Sequence, residues 1–260
     1  MEKMTPRATD QTRDLYLQSA LLAGEILIRS NAEAYRVEDT VQHILSASDY
    51  VNGNVVAQTT SFYLSVEEPD GPPKTYIRRI EDRSLNLHRI NCVNNISRCV
   101  TKKTITIEEA HEQLASLKDS EYSTVQKNLA TFFFINLMLL LLKGTMTDLL
   151  VNQPISAIIV LILHFGRRFS TPKMLFNYLC CATAAMLANL ATIALPFAVQ
   201  TDILIISCII PMVPGISLTN AVRDIFRGDY AAGLAKLLES ILIAVFIALG
   251  TASGLLLVRG

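Results

Sequence analysis

Four polar residues recur at helical spacing directly after a proline-rich interruption of an apolar segment. The stretch Pro211–Gly233 reads PMVPGISLTNAVRDIFRGDYAAG, and Asn220, Arg223, Asp224 and Arg227 follow one another in it at intervals of three, one and three positions. Residues three and four apart lie on one face of an α-helix. An arginine there can bind a carboxylate through two parallel hydrogen bonds, and an aspartate can neutralise the arginine or carry a proton. The row therefore predicts a binding site for a carboxylate-bearing molecule.

The residues before this row interrupt a helix that composition places inside a membrane. Pro211 and Pro214 each lack a backbone N–H donor, and Gly215 gives the backbone freedom to bend. Lipid cannot satisfy the backbone groups that such a break frees, so breaks persist where protein or water surrounds them. Transporters direct discontinuous helices at substrates and ions. The alternative is a helix end at the inner membrane surface, with the charged row on a short cytoplasmic loop.

Charge density divides the 260-residue chain near Tyr122. Charged residues occur every few positions before this point and become rare after it, which predicts a soluble domain over residues 1–122 and a transmembrane domain over 123–260. A membrane-spanning helix needs about 20 apolar residues. The sequence therefore predicts about five spans, near 124–142, 149–166, 174–199, 203–222 and 237–258, with the fourth broken at Pro211–Gly215.

The soluble part is predicted to be a small α+β domain. Helical periodicity covers Asp14–Ser30 and resumes at Glu33, and Asn31 between them suits the left-handed conformation that closes a helix. Val55–Glu67 and Thr75–Ile80 flank the turn sequence EPDGPPK and predict a hairpin. Two further helices are expected at about Leu85–Val100 and Ile107–Leu117. The predicted fold class is an α-helical integral membrane protein preceded by a small α+β cytoplasmic domain.

The distribution of lysine and arginine predicts the orientation in the membrane. If the N-terminus is cytoplasmic, the loops on the same side carry six basic residues: Arg167, Arg168, Lys173, Arg223, Arg227 and Lys236. The opposite side then carries two, Lys143 and Arg259. Cytoplasmic loops are enriched in these residues, and the N-terminal segment lacks the apolar core of a signal peptide. We therefore expect a multi-pass protein of the cell membrane with a cytoplasmic N-terminus.

Two motifs resemble the threonine/serine exporter (ThrE-type) family. The first is SNAEAYRVEDTV, followed later by RIEDRSLNLHRI, and the second is PMVPGISLTNAVRDIFRGD. Residues of the second motif that match the family pattern are Pro211, Pro214, Gly215, Leu218, Asn220, Asp224 and Gly228. The first motif departs once, because Asn31 stands where the family usually has glycine. The resemblance runs from Leu15 to Leu257, and within the family the chain is similar to the YjjP-like larger subunit of the split, two-component members.

This resemblance implies a transport function. It suggests a subunit of a secondary transporter that exports threonine and serine, or dicarboxylates such as succinate, with proton coupling as the simplest mechanism. Undivided members of the family carry a second set of about five spans. The resemblance therefore implies a separate small five-helix partner subunit and a homo- or hetero-oligomer in membrane lipid. The expected ligand is a small molecule and not a nucleic acid.

Further polar residues are secondary candidates for the transport path. Glu33, Arg36 and Glu38 form a charged cluster in the first motif. Since Glu33 and Arg36 are three positions apart, they can pair as a surface ion pair, or the cluster can contact the inner mouth of the path. The remaining candidates are Asn177 and Glu239 inside predicted spans, Asp148 and Asp202 at the outer ends of spans, where they can flank the exit, and Asp229 between the fourth and fifth spans. Hydrogen bonding between helices, snorkelling or ion pairing are the alternative roles for these side chains.

The sequence lacks the motifs that commonly mark enzymes. The five cysteines form no CxxC pair, HEQL at His111 is not an HExxH zinc motif, and there is no Walker loop or GxSxG sequence. We therefore predict no enzyme activity, no catalytic residues, no metal and no cofactor. The alternatives to a transporter are a membrane-anchored enzyme and a regulatory scaffold, each acting through the cytoplasmic domain.

The predicted orientation can be tested by cysteine labelling in whole cells. In a chain whose five native cysteines are replaced, Lys143→Cys should react with a membrane-impermeant thiol reagent added outside. Lys173→Cys should react only after the membrane is permeabilised, because an even number of crossings separates it from the N-terminus. Reaction of both positions from the same side would contradict this topology.

Overall fold

A computed structural model of the chain describes residues 8–50, 52–69, 71–118, 121–168 and 173–259. Within these residues the chain forms ten α-helices, one 3-10 turn and a three-stranded sheet. It divides into two compact units. We call residues 1–120 with 216–237 the N-terminal unit, and residues 121–215 with 238–260 the membrane unit. Residues 216–237, which the sequence assigns to the transmembrane part, thus group with the N-terminal unit.

The N-terminal unit begins with two helices whose junction depends on an asparagine. Helix α1 covers Ala8–Arg29 and helix α2 covers Ala34–Ser46. Asn31 lies between them with a φ of 60°, a left-handed conformation that asparagine tolerates better than most residues. The N–H of Ala32 donates to the carbonyl of Leu27 and closes α1. The predicted role of Asn31 as a helix terminator is confirmed.

The sheet has three strands, where the sequence predicts two. The strands are β1 (Asn52–Ala57), β2 (Ser61–Glu67) and β3 (Lys74–Arg79), antiparallel and in the order β1-β2-β3. The single strand predicted over Val55–Glu67 is wrong, because a tight turn divides it. The N–H of Gln58 donates to the carbonyl of Ser61, and the chain reverses there. Alternate residues of β2 are buried, as expected for a strand with one face on the core.

Two more helices complete the core of this unit. Helix α3 covers Leu87–Thr101 and helix α4 covers Ile107–Ser116. The predicted capping box is present. The Thr106 hydroxyl accepts from the N–H of Glu109 at 3.3 Å, and the Glu109 carboxylate accepts from the N–H of Thr106 at 3.0 Å. The buried apolar residues of α1 to α4 and β2 form one continuous cluster.

Four helices in the described part of the chain are long and apolar enough to cross a membrane: α5 (Thr124–Leu141), α6 (Met146–Arg168), α7 (Lys173–Ala194) and α10 (Tyr230–Arg259). The segment predicted as the fourth span is a pair of shorter helices, α8 (Thr201–Ile209) and α9 (Gly215–Phe226). Counted as one span, this pair raises the number to five. A helical membrane protein with an α+β N-terminal part is therefore confirmed. Helix α7 ends earlier than predicted because Pro196 follows.

The break between α8 and α9 comes from its prolines. A 3-10 turn over Ile210–Met212 follows α8 and contains Pro211, and Pro214 immediately precedes α9. Gly215 has no positive φ, and a Cβ built on it would meet no atom within 4 Å. Neither the backbone conformation nor the space around Gly215 therefore requires a glycine at this position. At the far end of α9, Gly228 has a φ of 92°, which does favour glycine.

Two glycines of α10 allow close contact with α7 inside the membrane unit. A Cβ on Gly250 would lie 2.5 Å from the carbonyl oxygen of Tyr178, and a Cβ on Gly254 would lie 2.2 Å from that of Ala182. Any side chain at either position would force the helices apart. Small residues of this kind let helix backbones approach each other in membranes. Gly250 and Gly254 thus serve packing between two helices of the same chain.

Candidate functional site

The loop between α1 and α2 is held by side chains from α9 and from the start of α10. All of these residues belong to the N-terminal unit. We call this set of contacts the clasp; its members are Asn31, Glu33, Asn220, Arg223, Asp224 and Lys236. The clasp joins the first sequence motif to the second. It brings together the predicted residues Asn220, Arg223 and Asp224 and the secondary candidate Glu33.

Two asparagines hold the left-handed turn of the loop. The Asn220 side chain donates to the Asn31 carbonyl at 3.2 Å, and the Asn31 side chain donates to the Ser217 hydroxyl at 3.0 Å. Asn220 is buried. The Asn220 amide thus holds the carbonyl of the turn, and the Asn31 amide donates back to α9 through the Ser217 hydroxyl. The contact explains why Asn220 points toward the first motif.

Asp224 is fully buried and caps a helix that is distant in sequence. Its Oδ1 accepts from the N–H of Ala34, the first residue of α2, at 3.1 Å. The residue at the N-cap position of α2 is Glu33, whose own side chain makes no capping hydrogen bond. Negative charge is favoured at a helix N-terminus. Asp224 therefore supplies from α9 the cap that α2 lacks in its own sequence.

Lys236 neutralises Asp224 in the same buried place. Its Nζ lies 2.8 Å from Oδ2 of Asp224, and the side chains are 5% and 0% exposed. The same Nζ donates to the carbonyl of Ala32 at 2.8 Å. Burying two charges is costly unless they are paired and their remaining hydrogen-bonding groups find partners. The carbonyl of the loop and the N–H of α2 provide those partners, so the pair fixes α9 and α10 to the loop.

Glu33 is shared by two arginines. Its Oε2 accepts from Nε of Arg36 at 2.8 Å, and its Oε1 accepts from Nη1 of Arg223. Glu33 is 6% exposed, whereas the Arg223 side chain is 45% exposed. Burial acts to raise the pKa of Glu33, but hydrogen bonds from the backbone and Arg36 and the charges of both arginines outweigh it and lower the pKa. Glu33 is thus a buried carboxylate that links α2 to α9, and its role goes beyond that of a surface ion pair with Arg36.

The second arginine of the predicted row contacts an aromatic ring. The guanidinium carbon of Arg227 lies 3.5 Å from the centroid of the Tyr35 ring. Cations within about 6 Å of such a ring are attracted to its face. The contact adds a further link between α9 and α2. Arg227 is exposed on its other side.

Two partly buried carboxylates belong to the same unit. Glu38 accepts from the N–H of Ala57 at 2.9 Å. Burial, together with the charges of Asp229 and Asp224, raises the pKa of Glu38 above its ordinary value despite that hydrogen bond. Burial and the charge of Asp224 likewise raise the pKa of Asp229, against the opposing effect of Arg227 and Lys236. Both groups bind a proton more readily than a solvated carboxylate does.

The other candidates lie outside the clasp. Pro211, Pro214 and Gly215 belong to the membrane unit. Asn177 is half-buried on α7, Glu239 is half-buried on α10, and Asp202 is exposed in the first turn of α8. Their proposed places along a transport path stay predictions.

Asp148 has a structural explanation within the membrane unit. It is fully buried, and its Oδ2 accepts from the N–H and the hydroxyl of Thr145 at 2.9 and 2.7 Å. The N–H of Gln200 donates to its Oδ1 at 2.9 Å. Asp148 therefore closes the start of α6 and fixes the segment that precedes α8. A role at the exit of a path would come in addition to this one.

A polar network inside the membrane unit was not predicted. Asn136 donates to the Ser156 hydroxyl at 3.0 Å, Asn152 donates to the Asn136 side-chain oxygen at 3.2 Å, and the Cys208 thiol donates to Asn152 at 3.5 Å. All four residues are buried. Their signal in the sequence is the presence of amides inside apolar runs, which the absence of charge alone does not reveal. The sequence likewise places Lys236 only among the basic residues of a cytoplasmic loop.

The fold and the clasp together define a class of protein. It is a multi-pass membrane protein whose α+β part is tied by a buried ion pair to a helix that follows a proline break. Residues 18–258 match the family described as "Putative threonine/serine exporter" (ThrE). The chain belongs to the threonine/serine exporter family, as its motifs predict.

One relative gives the scale of the match. The "Probable threonine/serine exporter" of Mycobacterium tuberculosis (strain ATCC 25618 / H37Rv) is 23% identical over 238 residues. The matched region is 90% of this chain but 44% of that protein, so the chain spans less than half of the relative's length. No solved structure matches the chain.

The buried ion pair of the clasp should dominate the stability of the N-terminal unit. Asp224→Asn or Lys236→Met alone should lower the free energy of unfolding by about 3–5 kcal/mol, because each leaves a buried charge without its partner. The double variant should be more stable than either single variant. Thermal and chemical denaturation of the purified chain in detergent measure this. Asp202→Asn, at an exposed aspartate, is the control and should change little. Single variants as stable as the unchanged chain would contradict the assignment.

Glu38 should make stability depend on pH in a defined direction. Because its pKa is raised in the folded chain, the folded state binds more protons there, and stability falls as the pH rises from the ordinary value of 4.5 through the folded pKa. Glu38→Gln keeps an acceptor for Ala57 and removes the charge. We expect a higher melting temperature for Glu38→Gln at pH 7.5 and a difference that shrinks as the pH falls towards 4. Glu112→Gln, at an exposed glutamate of α4, is the matched control. A lower melting temperature for Glu38→Gln at pH 7.5 would refute the sign.

Proposed function

We propose that the chain is a subunit of a secondary transporter that exports threonine and serine, and that Arg223 binds the substrate carboxylate. The family match supports the class of substrate. The observation that carries the site is the pairing of Arg223 with Glu33 while the arginine side chain remains 45% exposed. An arginine that already holds a carboxylate, on the helix directly after a membrane break, has the geometry to hold another. Dicarboxylates such as succinate present the same group and are the second candidate substrate class.

Substrate binding would then be an exchange of carboxylates. The substrate carboxylate takes the Arg223 guanidinium through two hydrogen bonds and displaces Glu33 from it. Glu33 stays paired with Arg36 at 2.8 Å, so the exchange leaves no buried charge without a partner. In the absence of substrate, Glu33 occupies Arg223 and competes with weakly bound anions. Asp224 and Lys236 keep α9 in place throughout, since their pair is shielded from solvent.

Proton coupling completes the proposal. Glu38 and Asp229 have pKa values raised by burial and by neighbouring carboxylates, so they take up a proton more readily than exposed acids. Asp224 remains the sequence-based candidate for a proton carrier, and its pairing with Lys236 gives it an anchoring role as well. If inward proton movement drives export, at least one such carboxylate must gain or lose its proton when the substrate binds or leaves.

The assembly is also part of the proposal. We place the N-terminal unit in the cytoplasm on the basis of the lysine and arginine distribution. We assign a second set of about five spans to a separate small subunit, so that the path forms between two sets of helices in a homo- or hetero-oligomer. Transporters of many folds build their sites between two related sets of helices, which is the physical reason for a partner.

Transport by proteoliposomes tests the proposal. Vesicles with this chain and the five-span partner should transport labelled serine and threonine, with labelled succinate as the second arm, and vesicles with this chain alone should not. Arg223→Ala should lower substrate affinity about 10- to 150-fold, the loss expected for a charge-assisted contact of about 1.5–3 kcal/mol. Arg223→Lys should restore only part of it, because an ammonium cannot form two parallel bonds.

Two further variants make the test specific. Glu33→Gln should lower the KM for substrate, because it removes the charge that competes for Arg223. Arg78→Ala, at an exposed arginine of β3, is the matched control and should transport normally. Normal transport by Arg223→Ala in the presence of the partner would exclude Arg223 from the site.

A further inference from the structure

A polar groove lies between α2 and α3 in the N-terminal unit. Its volume is about 230 Å³, and eight residues of the two helices line it. The side chains that matter for binding are Arg36, Asp39, Thr40, His43, Asn94 and Arg98. Apart from Arg36, none of these residues contributes to the clasp or to its ion pairs. The groove is therefore a feature that the proposed transport path does not use.

Several polar groups of the groove bond to one another or to neighbouring residues, whereas the guanidinium of Arg98 bonds to none of the described residues. His43 Nδ1 is hydrogen-bonded to the backbone carbonyl of Asp39 at 2.7 Å and lies 3.5 Å from a carboxylate oxygen of the same residue. The Thr40 hydroxyl donates to the Asn94 side chain at 2.9 Å. Arg36 is paired with Glu33 through Nε at 2.8 Å. For the exposed guanidinium of Arg98, the described residues provide no hydrogen bond or ion pair. Within the described part of the chain, the groove thus presents a cation without a bonded partner beside hydroxyl, amide and carboxylate groups.

We propose that this groove binds a small α-amino acid, with Arg98 and Arg36 holding the carboxylate and Asp39 accepting from the ammonium group. A guanidinium binds a carboxylate through two parallel hydrogen bonds. The Asp39 side chain is 67% exposed, so a ligand cation can reach its carboxylate beside His43. The volume is below the roughly 300–1,000 Å³ of pockets for drug-sized ligands, which suits a small metabolite. A groove with carboxylate and guanidinium groups favours a zwitterion over a dicarboxylate, because Asp39 repels a second carboxylate.

Arg36 connects this site to the clasp. A carboxylate in the groove competes with Glu33 for the Arg36 guanidinium, and Glu33 is then held more by Arg223. On the proposed function, this makes Arg223 less available to a transported substrate. Amino acid in the groove therefore inhibits transport by raising its KM. The groove would act as a regulatory site on the cytoplasmic unit.

Binding can be measured by isothermal titration calorimetry of the full chain in detergent. The background variant Arg223→Ala removes the candidate transport site, and the probes are L-serine, L-threonine, succinate and sulfate. We expect both amino acids to bind, succinate and sulfate to bind at least 10-fold more weakly, and Arg98→Gln to weaken amino-acid binding at least 10-fold. Arg78→Gln, which removes an exposed arginine outside the groove, should leave binding unchanged.

Three results would overturn the site: no binding of either amino acid, equal binding of sulfate, or amino-acid binding that Arg98→Gln does not change.

The regulatory link is measured separately in proteoliposomes. Unlabelled amino acid on the side of the membrane that carries the N-terminal unit should inhibit uptake of labelled substrate, and Arg98→Gln should abolish this inhibition. If Arg98→Gln leaves that inhibition intact, the link to Arg223 is wrong. If no transport occurs, the proposed function fails while the calorimetric result for the groove stands.

Discussion

The carboxylate of Asp224 at the N-terminus of α2 is the interaction on which the arrangement of the N-terminal unit depends. It accepts from the N–H of Ala34, which lies 190 positions earlier in the chain. Helix α2 carries no acidic residue in its first turn and no side-chain cap of its own. The start of the helix is therefore completed only when α9 packs against it. The positive charge of Lys236 offsets the cost of burying that carboxylate, and the second hydrogen bond of Lys236, to the carbonyl of Ala32, holds the loop in place.

Differences in exposure give the two ion pairs of the clasp different roles. The pair of Lys236 and Asp224 is 5% and 0% exposed, so separating it means leaving charges in a place without water. The pair of Arg223 and Glu33 is 45% and 8% exposed, so the arginine can keep contact with solvent when its partner changes. One pair anchors α9, and the other has the freedom to exchange. The same short helix carries both because Arg223 and Asp224 are adjacent and point to neighbouring partners.

Local chemistry in the sequence predicted much of this fold and part of the site. Asn31 between two helices and the Thr106 capping box each depend on a few neighbouring residues, and both were found where expected. The uncharged runs predicted the long apolar helices, though not all of their ends. The division of the long strand was missed because the turn at Gln58 has no glycine or proline to mark it. The row on α9 was identified, but its partners were not. Spacing shows which side chains share a face, whereas the pairing of Arg223 with Glu33 depends on a contact across 190 positions.

The charges around the clasp indicate how proton and substrate binding can depend on each other. Glu33, Glu38, Asp224 and Asp229 carry four negative charges when ionised, and Arg36, Arg223, Arg227 and Lys236 carry four positive ones. The group is then neutral and has no excess attraction for an anion. Protonation of Glu38 or Asp229, the two acids whose pKa values are raised, leaves one positive charge in excess. That excess favours a carboxylate at Arg223, and by linkage a bound carboxylate favours the proton. On the proposed function, the coupling needs no direct contact between proton and substrate, only carboxylates and arginines close enough to share one electrostatic environment.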